Sequence, residues 1–262
     1  MTFKYRLRAA SKVAFFHFLG SLLVAAGAAI VVFVFWYPYP YGELSGGRKL
    51  FTILVSVDVV CGPLLTLVLF NPGKSRKEFL LDMSLVVAIQ LAAMAYGVHT
   101  AYVARPLFLV HEVDRFRVIA MTDYGDAVVS KDIAALPLDL RPSLFSGPRV
   151  VGIRSPVDQK ERQDVMVESV FGGRDYSQRP EFYVPYDEDY RTKVMRRVRK
   201  LGDFLNRYPA SKLEATNLIK SQGMNVSEAR YLPVLHKEDW IAVLNPKGYI
   251  VGFLPGDGFS VP

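Results

Sequence analysis

FTILVSVDVVCGPLLTLVLF, Phe51 to Phe70, is apolar and long enough to cross a hydrocarbon core of ~30 Å as a helix. It nevertheless carries a carboxylate, Asp58, and a Gly62-Pro63 pair near its middle. A carboxylate is costly in lipid, and proline is the poorest helix former. Intramembrane acids face a bundle interior or a cavity and find partners there, so this run predicts a helix built to pack, bent, against other helices.

Two further runs of the same kind flank it. Val13 to Trp36 is uncharged, with His17 and Ser21 as its polar side chains, and Phe79 to Val103 carries one charge, Asp82, close to its start. Three transmembrane helices are therefore expected, at about 13–36, 50–70 and 79–103. The basic residues Lys4, Arg6, Arg8 and Lys12 before the first run would suit a signal peptide. Its apolar part is too long for that, and it ends in the aromatic cluster FWYPYPY (Phe35–Tyr41), which suits the headgroup level better than a cleavage site. It reads as a retained anchor.

Charge fixes an expected orientation. From Leu107 onward there are 22 Lys and Arg against 21 Asp and Glu, whereas the first 106 residues hold 10 basic and 4 acidic side chains. The basic excess flanks the spans, which marks orientation and gives no footprint for nucleic acid. The N-terminal tail (residues 1–12) and the loop with Lys74, Arg76 and Lys77 share one side of a three-span chain and are expected in the cytoplasm. Residues 13–105 then form the membrane domain and 106–262 a domain on the far side, periplasmic in a Gram-negative cell.

The one cysteine, Cys61, falls in the second span, so no disulfide frames the exported part. The four histidines (17, 99, 111 and 236) are scattered and read as ordinary interface or surface residues, and no metal or cofactor is expected.

The exported part reads as α+β. Pro106 to Met121 is expected as strand, Arg149 to Ile153 as a second strand and Gln159 to Val170 as a helix. Asp187 to Tyr208 predicts the strongest helix, because Tyr190, Val194, Val198, Leu201, Leu205 and Tyr208 recur every three or four residues and acids precede bases along it. Its basic face reads as solvated surface, or as a contact for anionic lipid or an acidic partner. A shorter helix over Ser211 to Ser221 and three C-terminal strands, YLPVLH, DWIAVL and YIVGFL, complete the pattern.

Catalytic motifs are missing. The chain holds no G-x-S-x-G elbow, P-loop, HExxH or paired cysteines. The Gly pair in SVFGGRDYSQRP (Ser169–Pro180) reads as a turn before it reads as an anion site. An intramembrane aspartyl protease would need two carboxylates at one depth. In an antiparallel pair Asp58 lies level with about residue 92, which leaves Asp82 roughly 15 Å too close to the cytoplasm. The chain is therefore expected not to be an enzyme. Gln90 lies within a turn of the matching depth and is the expected partner of the Asp58 carboxylate, with Tyr96 and Ser21 as alternatives. Asp58 could then staple spans two and three, dock a partner, or line an ion path. Pro63 bends the helix and frees the carbonyl of Val59, Gly62 admits a close backbone, and Gly20, Ala25, Gly27, Ala28 and Ala29 allow tight packing.

These residues carry a resemblance. Gly46-Gly47-x-x-Leu50-Phe51, then Val57-Asp58-Val59-Val60-x-Gly62-Pro63-Leu64-Leu65-Thr66-Leu67-Val68, then Lys74, Leu81-Asp82, Gln90, Tyr96-Gly97, Ala104-Arg105-Pro106 and Glu112-Val113-Asp114-Arg115-Phe116 follow in order. In this the chain resembles the type IV pilin accessory proteins of the TfpX/TfpZ family, which includes FimB-like proteins. The likeness is dense from Gly46 to Phe116 and thin from about Thr122 to Arg230.

The resemblance implies an inner-membrane, chaperone-like accessory protein with no catalytic residue, which helps a type IV pilin accumulate or assemble. Its implied partners are the pilin, through transmembrane helix and periplasmic head, the lipid bilayer, and the pilus assembly platform. Asp58, Gly62, Pro63, Gln90, Tyr96, Arg105 and Pro106 are the expected packing or docking residues. A membrane-anchored periplasmic sensor is the alternative, weakened by the short cytoplasmic tail and loop.

Overall fold

A computed structural model of the chain describes residues 3–124 and 128–261. It divides into two units, residues 1–42 with 46–103, and residues 43–45 with 104–262.

The first unit is a three-helix transmembrane anchor. Helix α1 (Phe3–Ile30) runs on through a wider π-helical segment, Val31–Trp36. After a short turn of helix, α2 (Tyr41–Leu44), come α3 (Gly47–Leu69) and α4 (Arg76–Val103). The three long helices are long and apolar enough to cross a membrane. Most of their large apolar side chains point outward, Phe16, Leu23, Leu81 and Leu85 among them, as lipid-facing helices require.

Polar contacts stitch the helices together where lipid offers no hydrophobic drive between them. Arg6 on α1 donates to the carbonyls of Val68 (2.9 Å) and Phe70 (3.3 Å), meeting acceptors that the end of α3 leaves without helical partners. His17 Nδ1 meets the hydroxyl of the fully buried Thr66 at 2.6 Å, and Tyr37 donates to the carbonyl of Ala101 at 3.0 Å. Asp82 stays at the loop end of α4, bonded to Lys74. Small residues pack less uniformly than the sequence suggests. Ala25 is buried, and Ala28 and Ala29 close on Val32, Trp36, Tyr37 and Phe51, whereas a Cβ at Gly20 or Gly27 would meet nothing within 4 Å.

The second unit is α+β, a mixed sheet in the order β4-β3-β1-β2-β6-β7-β8, with β5 paired to β6 off that path. Its strands are β1 (Pro106–Glu112), β2 (Arg115–Ala120), β3 (Arg149–Ile153), β4 (Tyr183–Pro185), β5 (Arg199–Lys200), β6 (Arg230–Leu235), β7 (Trp240–Leu244) and β8 (Ile250–Pro255). The β1–β3 and β2–β6 pairs are parallel and the others antiparallel.

Pro106–Met121, expected as one strand, is a hairpin. It turns at Val113-Asp114, with Val113 at φ 55°, a left-handed conformation that strains a β-branched residue. No Gly or Asn marks that turn, so sequence pattern alone misses it.

The expected helix Asp187–Tyr208 is likewise two helices, α7 (Glu188–Val194) and α8 (Leu201–Arg207), with β5 between them. Tertiary pairing overrides the helical spacing. Arg199 and Lys200 join the edge of β6, and the Arg199 guanidinium donates to the carbonyls of Gly258 (2.8 Å) and Val261 (3.1 Å). The remaining helices are α5 (Val128–Ala135), α6 (Gln159–Val170) and α9 (Lys212–Ser221).

Two apolar clusters hold the unit. Phe204 and Leu205 of α8 with Ala215 and Ile219 of α9 pack on Tyr231, Ile241 and Leu254 of β6–β8. Around β1, Phe108 and Val110 pack with Tyr124, Val151 and Tyr183. The buried Arg191 pins the turn before β8, donating to Lys247 O and to the Tyr249 hydroxyl while lying over its ring at 3.8 Å. Residues 43–45 belong to this unit too. Leu44 is fully buried, its carbonyl accepts from Glu238 N–H at 3.2 Å, and Ser45 meets His236 at 3.0 Å.

Candidate functional site

Asp58 is the twelfth of the 23 residues of α3, at the middle of the span. It is 9% exposed, and its Oδ2 is buried without a hydrogen-bond partner. Gln90 reaches it from α4 as depth matching predicts, but to a different atom. The amide Nε2 donates to the backbone carbonyl of Asp58 at 2.9 Å, not to the carboxylate, and Gln90 Oε1 is left buried and unpaired.

The reason is Gly62. A Cβ there would lie 2.1 Å from Gln90 Nε2, so the glycine makes room for a side-chain amide and not for a neighbouring backbone. Pro63, one residue on, removes the amide that would bond to Val59 O and opens this stretch of α3 to a side-chain donor.

The two orphaned oxygens belong to residues that line a cavity of about 250 Å³ shared by α1, α3 and α4. Val24, Val87, Leu91 and Met94 supply apolar wall, while Ser21 and His17 add polar groups. Val24 is 49% and Leu91 54% exposed, so the cavity opens on the outer surface of the bundle. Beside it, Pro63 lines a more apolar hollow with Val59 and Leu67 of α3 and Ala14 and Phe18 of α1.

Not every expected site residue joins this arrangement. Ser21 lies in the cavity wall, but Tyr96 is 74% exposed and outside it. Arg105 and Pro106 belong to the second unit, with Pro106 buried as the first residue of β1. Sequence pattern does not mark His17, Gly20, Val24 or Met94 as site residues; the polar His17 within an otherwise apolar run is the one signal that points toward them.

The second unit has a groove of about 860 Å³ in which Val113, Arg154, Lys193 and Asp187 surround His111 and Tyr190. His111 is buried, which sets aside the surface half of the interface-or-surface reading. Its Nδ1 meets the Tyr190 hydroxyl at 3.1 Å, and that hydroxyl accepts the Ile153 N–H at 2.8 Å. Burial lowers the His111 pKa to about 4, with Asp114 pulling weakly the other way. A base held neutral in the fold but free to protonate when unfolded stabilises fully above pH ~6.5 and loses that stabilisation as pH falls toward 4. The full-length protein should lose on the order of 3 kcal/mol across that window. Thermal melts of the His111→Gln variant should show a flatter profile, and equal slopes would show that another group titrates.

The Gly172-Gly173 stretch is a helix end. Gly172 sits at φ 82°, Gly173 N–H bonds to Glu168 O, and the arginines of the segment are engaged by the protein's own carboxylates, Arg179 by Glu168 and Arg174 by Asp132 and Glu181. Among the described residues no group of three or more His, Cys, Asp or Glu could hold a metal ion.

The chain is thus a membrane-anchored protein, a three-helix transmembrane anchor with a mostly apolar cavity holding a carboxylate at mid-span, followed by an α+β domain. Comparison with known proteins gives the family. The model of fimbrial assembly protein FimB matches residues 5–46. The fimbrial assembly protein of Dichelobacter nodosus serogroup I is 34% identical over 98% of this chain and 99% of its own length, and that of serogroup E1 is 33% identical over the same shares. The protein of serogroups C1 and C2 is 46% identical over 120 residues, 46% of this chain. No solved structure matches. The chain belongs to the FimB family of fimbrial assembly proteins and has a role in pilus biogenesis.

Proposed function

We propose that the protein is an inner-membrane accessory factor that binds a type IV pilin without catalysing a reaction and supports its stability or assembly. The single observation that carries this reading is the unpartnered Asp58 carboxylate in a cavity that opens on the outer face of the anchor. A carboxylate kept at mid-span with no internal partner is costly, and a group supplied by another helix offsets that cost. A pilin waiting in the membrane offers a very apolar helix and a globular head. An anchor bearing an exported domain can engage both, and the second contact gains from effective concentration. The N-terminus is cytoplasmic in this account and the α+β domain periplasmic, as the loop charges suggest.

The division of labour is testable. Exchanging Thr122–Arg230 for the same segment of a relative that serves another pilin should change which pilin co-purifies with the full-length chain from detergent-solubilised membranes. If the original pilin still co-purifies alone, the exported domain is not the selector.

A further inference from the structure

The chemistry of the Asp58 cavity narrows what fills it. Resting on the docking reading above, we propose that it is a binding site for a primary ammonium group on an alkyl stem, carried to mid-span by a partner transmembrane helix as a lysine-like side chain.

Both groups left unsatisfied, Asp58 Oδ2 and Gln90 Oε1, are acceptors, so the occupant must donate. The two residues come from different helices and line one cavity, which calls for a group with at least two donor hydrogens. One acceptor is a carboxylate nine-tenths buried, for which a positive charge is the strongest complement. Gln90 cannot turn its own amide to the carboxylate without giving up the bond to Asp58 O, and Gly62 holds the room for that amide where it is.

The rest of the wall favours an occupant with an apolar stem. Ca²⁺ or Mg²⁺ takes six or more oxygen ligands, and the polar groups here are Asp58, Gln90, Ser21 and His17 among Val24, Val87, Leu91 and Met94, with no metal-holding group of His, Cys, Asp or Glu among the described residues. One water can bridge the two acceptors, but it leaves Val24, Val87, Leu91 and Met94 without contacts that methylenes would make. The cavity holds several CH₂ groups behind a head, and its mouth lies on the lipid-facing surface, so the stem enters from a neighbouring helix.

The same ammonium chemistry exists in an aminophospholipid headgroup. Asp58 stands at the middle of α3, far below the level where headgroups lie, which favours the helix as the source.

The test uses the full-length chain in phosphatidylcholine nanodiscs with isotope-labelled decylammonium as probe and no pilin present, so failure of ammonium binding and failure of pilin docking are read separately. One saturable site is expected, weakened at least tenfold by Asp58→Asn and by Gln90→Leu. Decyltrimethylammonium, which keeps the charge but has no N–H, should show no saturable binding to the parent protein, a comparison that needs no variant to fold. Absence of a saturable site, equal binding of the two amphiphiles, or undiminished binding to folded Asp58→Asn overturns the proposal. Loss of the site when phosphatidylethanolamine replaces phosphatidylcholine assigns it to the lipid and removes the partner helix from it.

Discussion

Asp58→Leu is expected to leave the anchor at least as stable as the parent while cutting pilin support about tenfold, which corresponds to roughly 1.4 kcal/mol of binding. The two halves of this expectation have different causes. Within the protein, the Asp58 side chain contributes an unpaired buried acceptor, and the bond from Gln90 ends on the backbone carbonyl that leucine also has. Removing an unsatisfied buried polar group relieves a penalty of about 1–3 kcal/mol. Toward a partner, the same change removes the acceptor that docking uses.

Melting of the solubilised protein and pilin levels in the cells read the two halves independently. A variant that melts well below the parent would make Asp58 an internal staple. The depth argument makes Gln90 the expected partner of the Asp58 carboxylate. The structure corrects this, because the side chain at 58 has no bond to Gln90.

The second large effect belongs to the α+β domain. Gly152→Ala should cost about 1–3 kcal/mol, the range of overpacking in a close-fitted core. A Cβ on Gly152 would lie 2.3 Å from the Tyr190 ring. That ring cannot step aside cheaply, since its hydroxyl is held by Ile153 N–H and by His111 and its backbone N–H by the Asp187 cap of α7. Gly202→Ala is the control. It places the same methyl in α8 where nothing lies within 4 Å, and it should be neutral or stabilising. Denaturant melts of the two variants with loss at Gly152 within 0.5 kcal/mol of the control would remove Tyr190 from the role of keystone.

What the sequence reveals follows from how local each signal is. Long apolar runs declare the three membrane helices because hydropathy needs no knowledge of neighbours. Equal rise per residue in an antiparallel pair is enough to bring Gln90 to the depth of Asp58. Which atom Gln90 reaches is not legible, since it depends on the space left by Gly62 on another helix. The break at Arg199-Lys200 is hidden for the same reason. The apolar spacing runs through it, and only the β6 edge and the carbonyls of Gly258 and Val261 reveal an extended pair. Leu44, fully buried in the second unit, ends the single turn of α2 between two spans, which is too short for any periodicity to mark it.

The most direct test of pilin docking at the Asp58 cavity is photo-crosslinking in native membranes from Val24 and Leu91, at the cavity mouth, with Leu81, 72% exposed and outside the lining, as control. Mass spectrometry of the adducts should find the pilin helix joined to both mouth positions and absent from Leu81. Adducts confined to this chain and to lipid would contradict the account and leave recognition of the pilin to the α+β domain.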